Sequence, residues 1–354
     1  MQWGKILKNK KLALRRKDKK FSLHINIDIK GPFLISERVY NKIIKKIRID
    51  PSWVDENLID HGLRESDPKI KLRVYSIKFS GNRQEFLGFI RAIVQKLPDF
   101  VLSQKEIRKY RKNSAPYTPY IEAIKFFGDI DPEKDGKYGE FILFLMVEAI
   151  LKCPMIAHKI VLYNSRDQTK GSDALFLGKY GALQAILIGE AKIEKEASKP
   201  IDRALNSIDR FYKNINGGSN LDYELLVAKK DISEDFSGQE LDYIYDALSP
   251  QSQEYKNSIK VHPILIIYNE KEVENIEKLA TDNEDAERRL KEHIKKLLDE
   301  LYKETISKVN GKSGLSKVYF DFFFIPTGDV TQFRHDFYQI IHGVPYKNAR
   351  STSK

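Results

Sequence analysis

Three short stretches carry side chains that could do chemistry together: Glu140 in Lys137-Tyr138-Gly139-Glu140, Asp173 in Gly171-Ser172-Asp173-Ala174, and Glu190 with Lys192 in Gly189-Glu190-Ala191-Lys192. The apolar run Ala185-Ile186-Leu187-Ile188 just before Gly189 reads as a buried strand. Side chains alternate along a strand, so Glu190 and Lys192 point one way and Ala191 points into the packing. A carboxylate beside a lysine on one strand end, with a second carboxylate reaching in, can hold a hard metal ion and a water molecule. Mg²⁺, or Mn²⁺ in its place, prefers oxygen ligands and retains waters, so two or three convergent carboxylates suffice. Such an ion polarises a phosphate, lowers the pKa of water and neutralises a leaving oxygen. The chemistry is that of cutting a phosphodiester. Glu148, about 80° round the same helix from Glu140, is an alternative third acid.

An acid-x-Lys triplet alone carries little weight in a lysine-rich chain. Asp18-Lys19-Lys20, Asp28-Ile29-Lys30, Asp67-Pro68-Lys69, Asp135-Gly136-Lys137 and Glu254-Tyr255-Lys256 are all present. Only Glu190-Ala191-Lys192 combines a buried strand, an upstream acid opening another strand and a preceding helix bearing a glutamate. The bland alternative is a surface ion pair on an edge strand, worth about 0–1 kcal/mol. Against it stand Gly189, which permits close backbone approach, and Glu140, whose carboxylate abuts the apolar run Phe141–Val147 and would be costly there without a compensating cation.

The elements that must position these groups follow from periodicity. Phe21–Ile29 and Ile70–Phe79 alternate as strands; Glu37–Ile47 and the stripe Phe86, Ile90, Ile93, Leu97 are helical. The polar stretch Gln104–Pro119 reads as a linker, which divides the chain into a basic arm (1–20), an α+β N-terminal module (21–115) and a second domain (116–354). In that domain a helix over Tyr138–Leu151 precedes strands at Ala157–Tyr163, Asp173–Leu177 and the one ending in Glu190. Ser198 is a candidate N-cap with Pro200 in the first turn. The helix it starts buries Ile201, Leu205, Ile208, Phe211 and Ile215. Strands at His262–Tyr268 and Val318–Ile325 flank a long charged helix pattern interrupted near Thr281–Asp285, and a last helix covers Val330–His342.

Composition bounds the function. The chain has 354 residues, 41% of them hydrophobic, and a net charge of +11. Residues 1–20 hold nine Lys or Arg against one Asp, so the basic character is mostly a terminal arm. It lends weak support to a polyanionic partner. One cysteine, Cys153, excludes an intrachain disulfide and a cysteine-rich zinc site and suits a reducing cytoplasm. The longest apolar run, Phe141–Val147, is far short of the ~20 residues of a membrane span. Gly311-Lys312-Ser313 lacks the upstream glycine of a phosphate-binding loop, so ATP binding by this chain is not expected. His335 and His342 could share a helix face, with ordinary surface or core roles the stronger reading. On the helix after Lys192, Arg203, Asn206, Arg210 and Lys213 lie opposite the apolar stripe. They either track a DNA backbone or form a solvated face.

Helix, three strands, helix, strand is the core order of the PD-(D/E)xK nucleases, and the chain resembles them over roughly residues 128–270. The resemblance implies an α/β fold: a restriction-endonuclease-like core, a mixed sheet flanked by helices. It also implies Asp173, Glu190 and Glu140 as metal ligands, and Lys192 as the group that orients or activates the attacking water. Ser172 stands where that family's name has proline. The three stretches quoted at the outset are further similar to the HamA family, the nuclease subunits of the Hachiman antiphage system. That resemblance implies a metal-dependent DNA endonuclease or nickase restrained by a helicase subunit, HamB, with the N-terminal module and the helix near Val273–Ile306 as docking surfaces. A sequence-reading restriction-type nuclease and a non-catalytic nucleic-acid- or helicase-binding subunit are the alternatives.

Overall fold

The computed structural model describes residues 32–128, 131–158, 161–164, 167–170, 173–215 and 218–347. The basic arm and the strand expected at 21–29 lie outside them. Seven strands form one mixed sheet. In chain order they are β1 (Leu58–Asp67), β2 (Ile70–Ile77), β3 (Met155–His158), β4 (Ala174–Tyr180), β5 (Leu183–Glu194), β6 (Ile259–Asn269) and β7 (Tyr319–Thr327). Their order across the sheet is β1-β2-β7-β6-β5-β4-β3. Strands β2, β7, β6 and β5 run parallel, with antiparallel pairs β1–β2, β4–β5 and β3–β4 on the two flanks.

The parallel centre is covered on both faces, which is why its strands read as nearly unbroken apolar runs. One face packs Ile186, Ile188, Ile264 and Ile266 against the Ser198–Phe211 helix through Ile201, Leu205 and Ile208. The other packs Leu187, Ala191, Ile193, Leu265 and Phe323 against the Lys137–Met146 helix. Phe320, Phe322 and Phe324 alternate along β7 to one face and stack at 5.9 and 6.1 Å. Asp321, on the opposite face from these rings and fully buried, accepts from Arg73 Nε at 2.9 Å and from the Tyr180 hydroxyl at 2.9 Å. That triangle satisfies a charge which would otherwise be prohibitive there.

Two expectations are corrected. The boundary near residue 115 does not separate two domains: β2 pairs in parallel with β7, so the 21–115 segment supplies strands to the central sheet, and residues 38–354 form one compact unit. The presumed linker is helical, with Gln104–Lys112 and Thr118–Phe127 on either side of a short turn. Ser103 and Glu106 close a reciprocal capping box at the start of the first of these, which satisfies two otherwise orphaned N–H groups. The expected order of helix, three strands, helix and strand is present, although the first strand ends at His158 and Val161–Asn164 belongs to a separate hairpin with Asp167–Lys170. The charged helix pattern divides into Lys271–Leu279 and Asn283–Asn310. Among the described residues no helix is long and apolar enough to cross a membrane.

Candidate active site

Strand alternation does what the sequence requires of it. Ala191 and Ile193 face the Lys137–Met146 helix, while Glu190 and Lys192 share the face of Ile186 and Ile188. Asp173 precedes β4, where its N–H donates to the Gly189 carbonyl at 3.2 Å. One of its carboxylate oxygens accepts from the Ala191 N–H at 2.8 Å, which pins Asp173 beside the Glu190 peptide. Lys192 Nζ donates to Glu190 Oε1 and, at 3.1 Å, to the Ala191 carbonyl. Asp173, Glu190 and Lys192 therefore come together from a loop end and one strand.

The electrostatics of this trio are set by burial. Glu190 is 5% exposed. Burial pushes its carboxyl above the usual range and the Asp173 charge pushes it further, against the pull of Lys192 and the Ser207 hydroxyl on the covering helix. Burial alone would lower the Lys192 ammonium, but the Glu190 and Asp173 carboxylates outweigh it and hold its pKa above the ordinary lysine value. Once Glu190 is ionised, two carboxylates face one ammonium, an excess negative charge that a small divalent cation would offset.

A further buried carboxylate near this trio was not legible in the sequence. Glu224, on the Asn220–Ala228 helix, is 4% exposed and its Oε2 has no hydrogen-bond partner. Burial raises its pKa to about 8; Arg210 opposes the shift and the Glu190 charge adds to it. The Ser219-x-x-Asp222 capping box marks where its helix starts, but not which way Glu224 turns.

The other expected residues fall as follows. Glu140 is buried in the first turn of its helix, but that helix packs on the Ala191 face: a β-carbon on Gly139 would lie 3.1 Å from Ala191 Cβ. Among the described residues no three His, Cys, Asp or Glu side chains are grouped so as to hold a metal ion, so the set of Glu140, Asp173 and Glu190 is not assembled as expected. Glu148 does not stand in for Glu140. It sits in a π-helical turn, Val147–Leu151, and accepts backbone N–H groups from Arg48 and Ile49 (2.7 and 3.2 Å) and from Met155 (3.0 Å). Its carboxyl, raised to about 7 by burial, is a structural anchor. Gly189 admits Leu143, whose Cδ2 lies 2.9 Å from where a β-carbon would be. Arg203, Arg210 and Lys213 are exposed on the outer face of the Ser198–Phe211 helix and its end. Arg203 pairs with Glu194, and Lys213 lies 3.5 Å from Asp209.

A recess of 360 Å³ continues from the end of β5. Lys195, Lys199, Arg203 and Arg334 line it together with Glu133 and Glu194. Arg334 donates to the Ile193 carbonyl at 2.6 Å and so ties the Val330–His342 helix to the strand that carries the site. Cys153 is buried against Gly178, and burial pushes its thiol up to about 12, which leaves it unreactive.

No curated protein matches the chain. The HamA family model matches residues 50–341, most of the chain and all of the elements just described around Asp173, Glu190 and Lys192. The chain belongs to the HamA family.

Proposed function

We propose that this protein is a metal-dependent deoxyribonuclease and the effector of an antiphage defence system. The observation that carries the reading is the convergence of Asp173, Glu190 and Lys192 at one edge of a buried strand. The residues present suit Mg²⁺, with Mn²⁺ as a substitute: two carboxylates held together through the Glu190–Ala191 backbone, one of them on half-buried Asp173. When bound, the ion supplies Lewis-acid chemistry to the phosphate and the attacking water. Asp173 and Glu190 would hold it. Deprotonating Glu190, whose carboxyl burial has raised, makes metal uptake release a proton and strengthen with rising pH. Lys192, an ammonium in this arrangement, orients water and neutralises phosphate charge; it becomes a proton acceptor only after losing its own proton. Arg203, Arg210 and Lys213, exposed on the outer face of the Ser198–Phe211 helix and its end, would follow the DNA backbone.

Family membership supports a defence role with other subunits. A helicase partner resembling HamB would supply the ATP-driven step, consistent with a chain that carries no phosphate-binding loop motif. The test is incubation of supercoiled plasmid with Mg²⁺ and protein, alone and with its neighbouring helicase, beside Glu190→Ala/Lys192→Ala and an EDTA control. Nicking or degradation lost in both controls is expected, a drop of about 10²- to 10³-fold being ordinary for removal of one such electrostatic group. Activity that survives the double variant overturns the mechanism. An inert wild type in both settings favours a binding subunit in which Glu190–Lys192 is a structural pair.

A further inference from the structure

The stretch that reads as a linker in the sequence is a built surface. The Gln104–Lys112 helix is fixed by buried Ile107, by its capping box and by Asp235, which accepts from the Gln104 and Lys105 N–H groups at 3.0 and 3.2 Å. Asp235 is itself held by Arg48 at 2.5 Å, with both side chains nearly fully buried. With Ile107 turned inward, helical spacing puts Lys105, Arg108, Lys109 and Lys112 on the outer side, all four exposed. Among the described residues only Lys105 of the four has an ion-pair partner, the exposed Glu234. For Arg108, Lys109 and Lys112 no acidic partner lies within ion-pair distance among the described residues.

The second helix adds something that a solvated charged face does not need. Pro119, Ala123 and Phe127 are buried, so Tyr117, Tyr120 and Ile121 turn outward at 78%, 38% and 52% exposure. An aromatic ring and a branched aliphatic side chain are thus left in water on the helix that follows the uncompensated cations in the chain. Duplex DNA presents phosphates but keeps its base faces stacked. A single strand presents both, and basic side chains interleaved with exposed aromatics are the recurring way of holding one.

We infer that the Gln104–Phe127 helix pair is a single-stranded nucleic-acid binding surface, with Arg108, Lys109 and Lys112 on the phosphates and Tyr117 stacking on an unpaired base. The inference is independent of cleavage at Asp173 and Glu190. It would give the protein a hold on unwound strands separate from the side chains that cut.

Fluorescence anisotropy with a labelled oligothymidylate, in EDTA so that no turnover occurs, reads this surface directly. The full chain is compared with Lys109→Glu/Lys112→Glu and with Tyr117→Ala; the basic arm is common to all three. Each variant should melt like the wild type, since every altered side chain is exposed. The charge variant is expected to bind at least ~10-fold more weakly and to lose about 0.7 in salt slope for each phosphate contact removed. Tyr117→Ala is expected to bind about 5- to 100-fold more weakly. Loss in the charge variant with Tyr117→Ala unchanged overturns the single-strand assignment in favour of a duplex or an acidic protein face. Unchanged affinity in both variants overturns the surface altogether. Neither outcome touches the nuclease reading, which rests on plasmid cleavage.

Discussion

His262 lies beneath the candidate site with both ring nitrogens engaged, one facing the Ile188 carbonyl at 3.1 Å and the other the Tyr212 hydroxyl at 2.8 Å. Burial drives its pKa from 6.5 down to about 3. The folded protein therefore binds fewer protons than the unfolded chain between those values. Stability from this residue is complete above pH 6.5 and is lost as pH falls through the window, by about 3 kcal/mol at two units below 6.5. His262→Phe should be less stable than wild type at neutral pH, because Tyr212 and Ile188 lose a partner. It should also show a shallower decline in acid. Parallel pH–stability curves for the two proteins would contradict this. The same scale explains what was legible. Glu190 and Lys192 stood out because strand alternation fixes two residues' directions from two residues' spacing. Glu224 did not, since nothing in Leu221-Asp222-Tyr223-Glu224 distinguishes a carboxylate turned inward from one turned to solvent until the helix is docked.

At the scale of elements, the site depends on how the strand bearing Glu190 is clamped. The Lys137–Met146 helix closes on it through Gly139 and Gly189, and that helix is continued by the turn whose Glu148 holds the Arg48–Ile49 backbone. Arg48 in turn reaches the Asp99 and Leu102 carbonyls and the Asp235 carboxylate, joining three segments distant in sequence. A buried pair of this kind is costly to break from one side. Asp235→Ala should destabilise the fold by about 3–5 kcal/mol and loosen the Gln104–Lys112 helix, which hydrogen exchange on its first-turn amides would report. A stability change under about 1 kcal/mol would show that water compensates the pair. The long, strongly periodic elements were readable from sequence, including Ser198–Phe211 and Val330–His342. The edge strand β1 was not, because its outward positions are exposed on both faces and Gly62, at φ +102°, breaks the pairing register. The helix at Gln104–Lys112 was overlooked because its single buried residue gives no stripe, although Ser103-x-x-Glu106 was a usable start signal.

For the whole molecule, the sheet order has a consequence for dissection. Strand β2 pairs along β7 from Phe320 to Phe324, next to the stacked phenylalanines. A fragment of residues 116–354, cut where composition suggests a boundary, would expose that edge and that apolar face. It should fail to show a cooperative thermal transition and should aggregate, whereas a chain starting near residue 38 retains the sheet. A cooperatively folding 116–354 fragment would restore the two-domain description. Nothing local in the sequence announces that Ile70–Ile77 docks beside a strand some 250 residues later; parallel pairing between distant segments leaves no short-range signature.

Under the proposed function cleavage would await a partner's signal but metal uptake would not, so the most direct measurement is a calorimetric titration of Mn²⁺ into the full chain, beside Asp173→Ala and Glu190→Ala. A saturable binding heat in the wild type, at least ~10-fold weakened in each variant and stronger as pH rises, is the expected result. Binding of equal strength in all three proteins, or none in the wild type, would contradict a metal centre at Asp173 and Glu190.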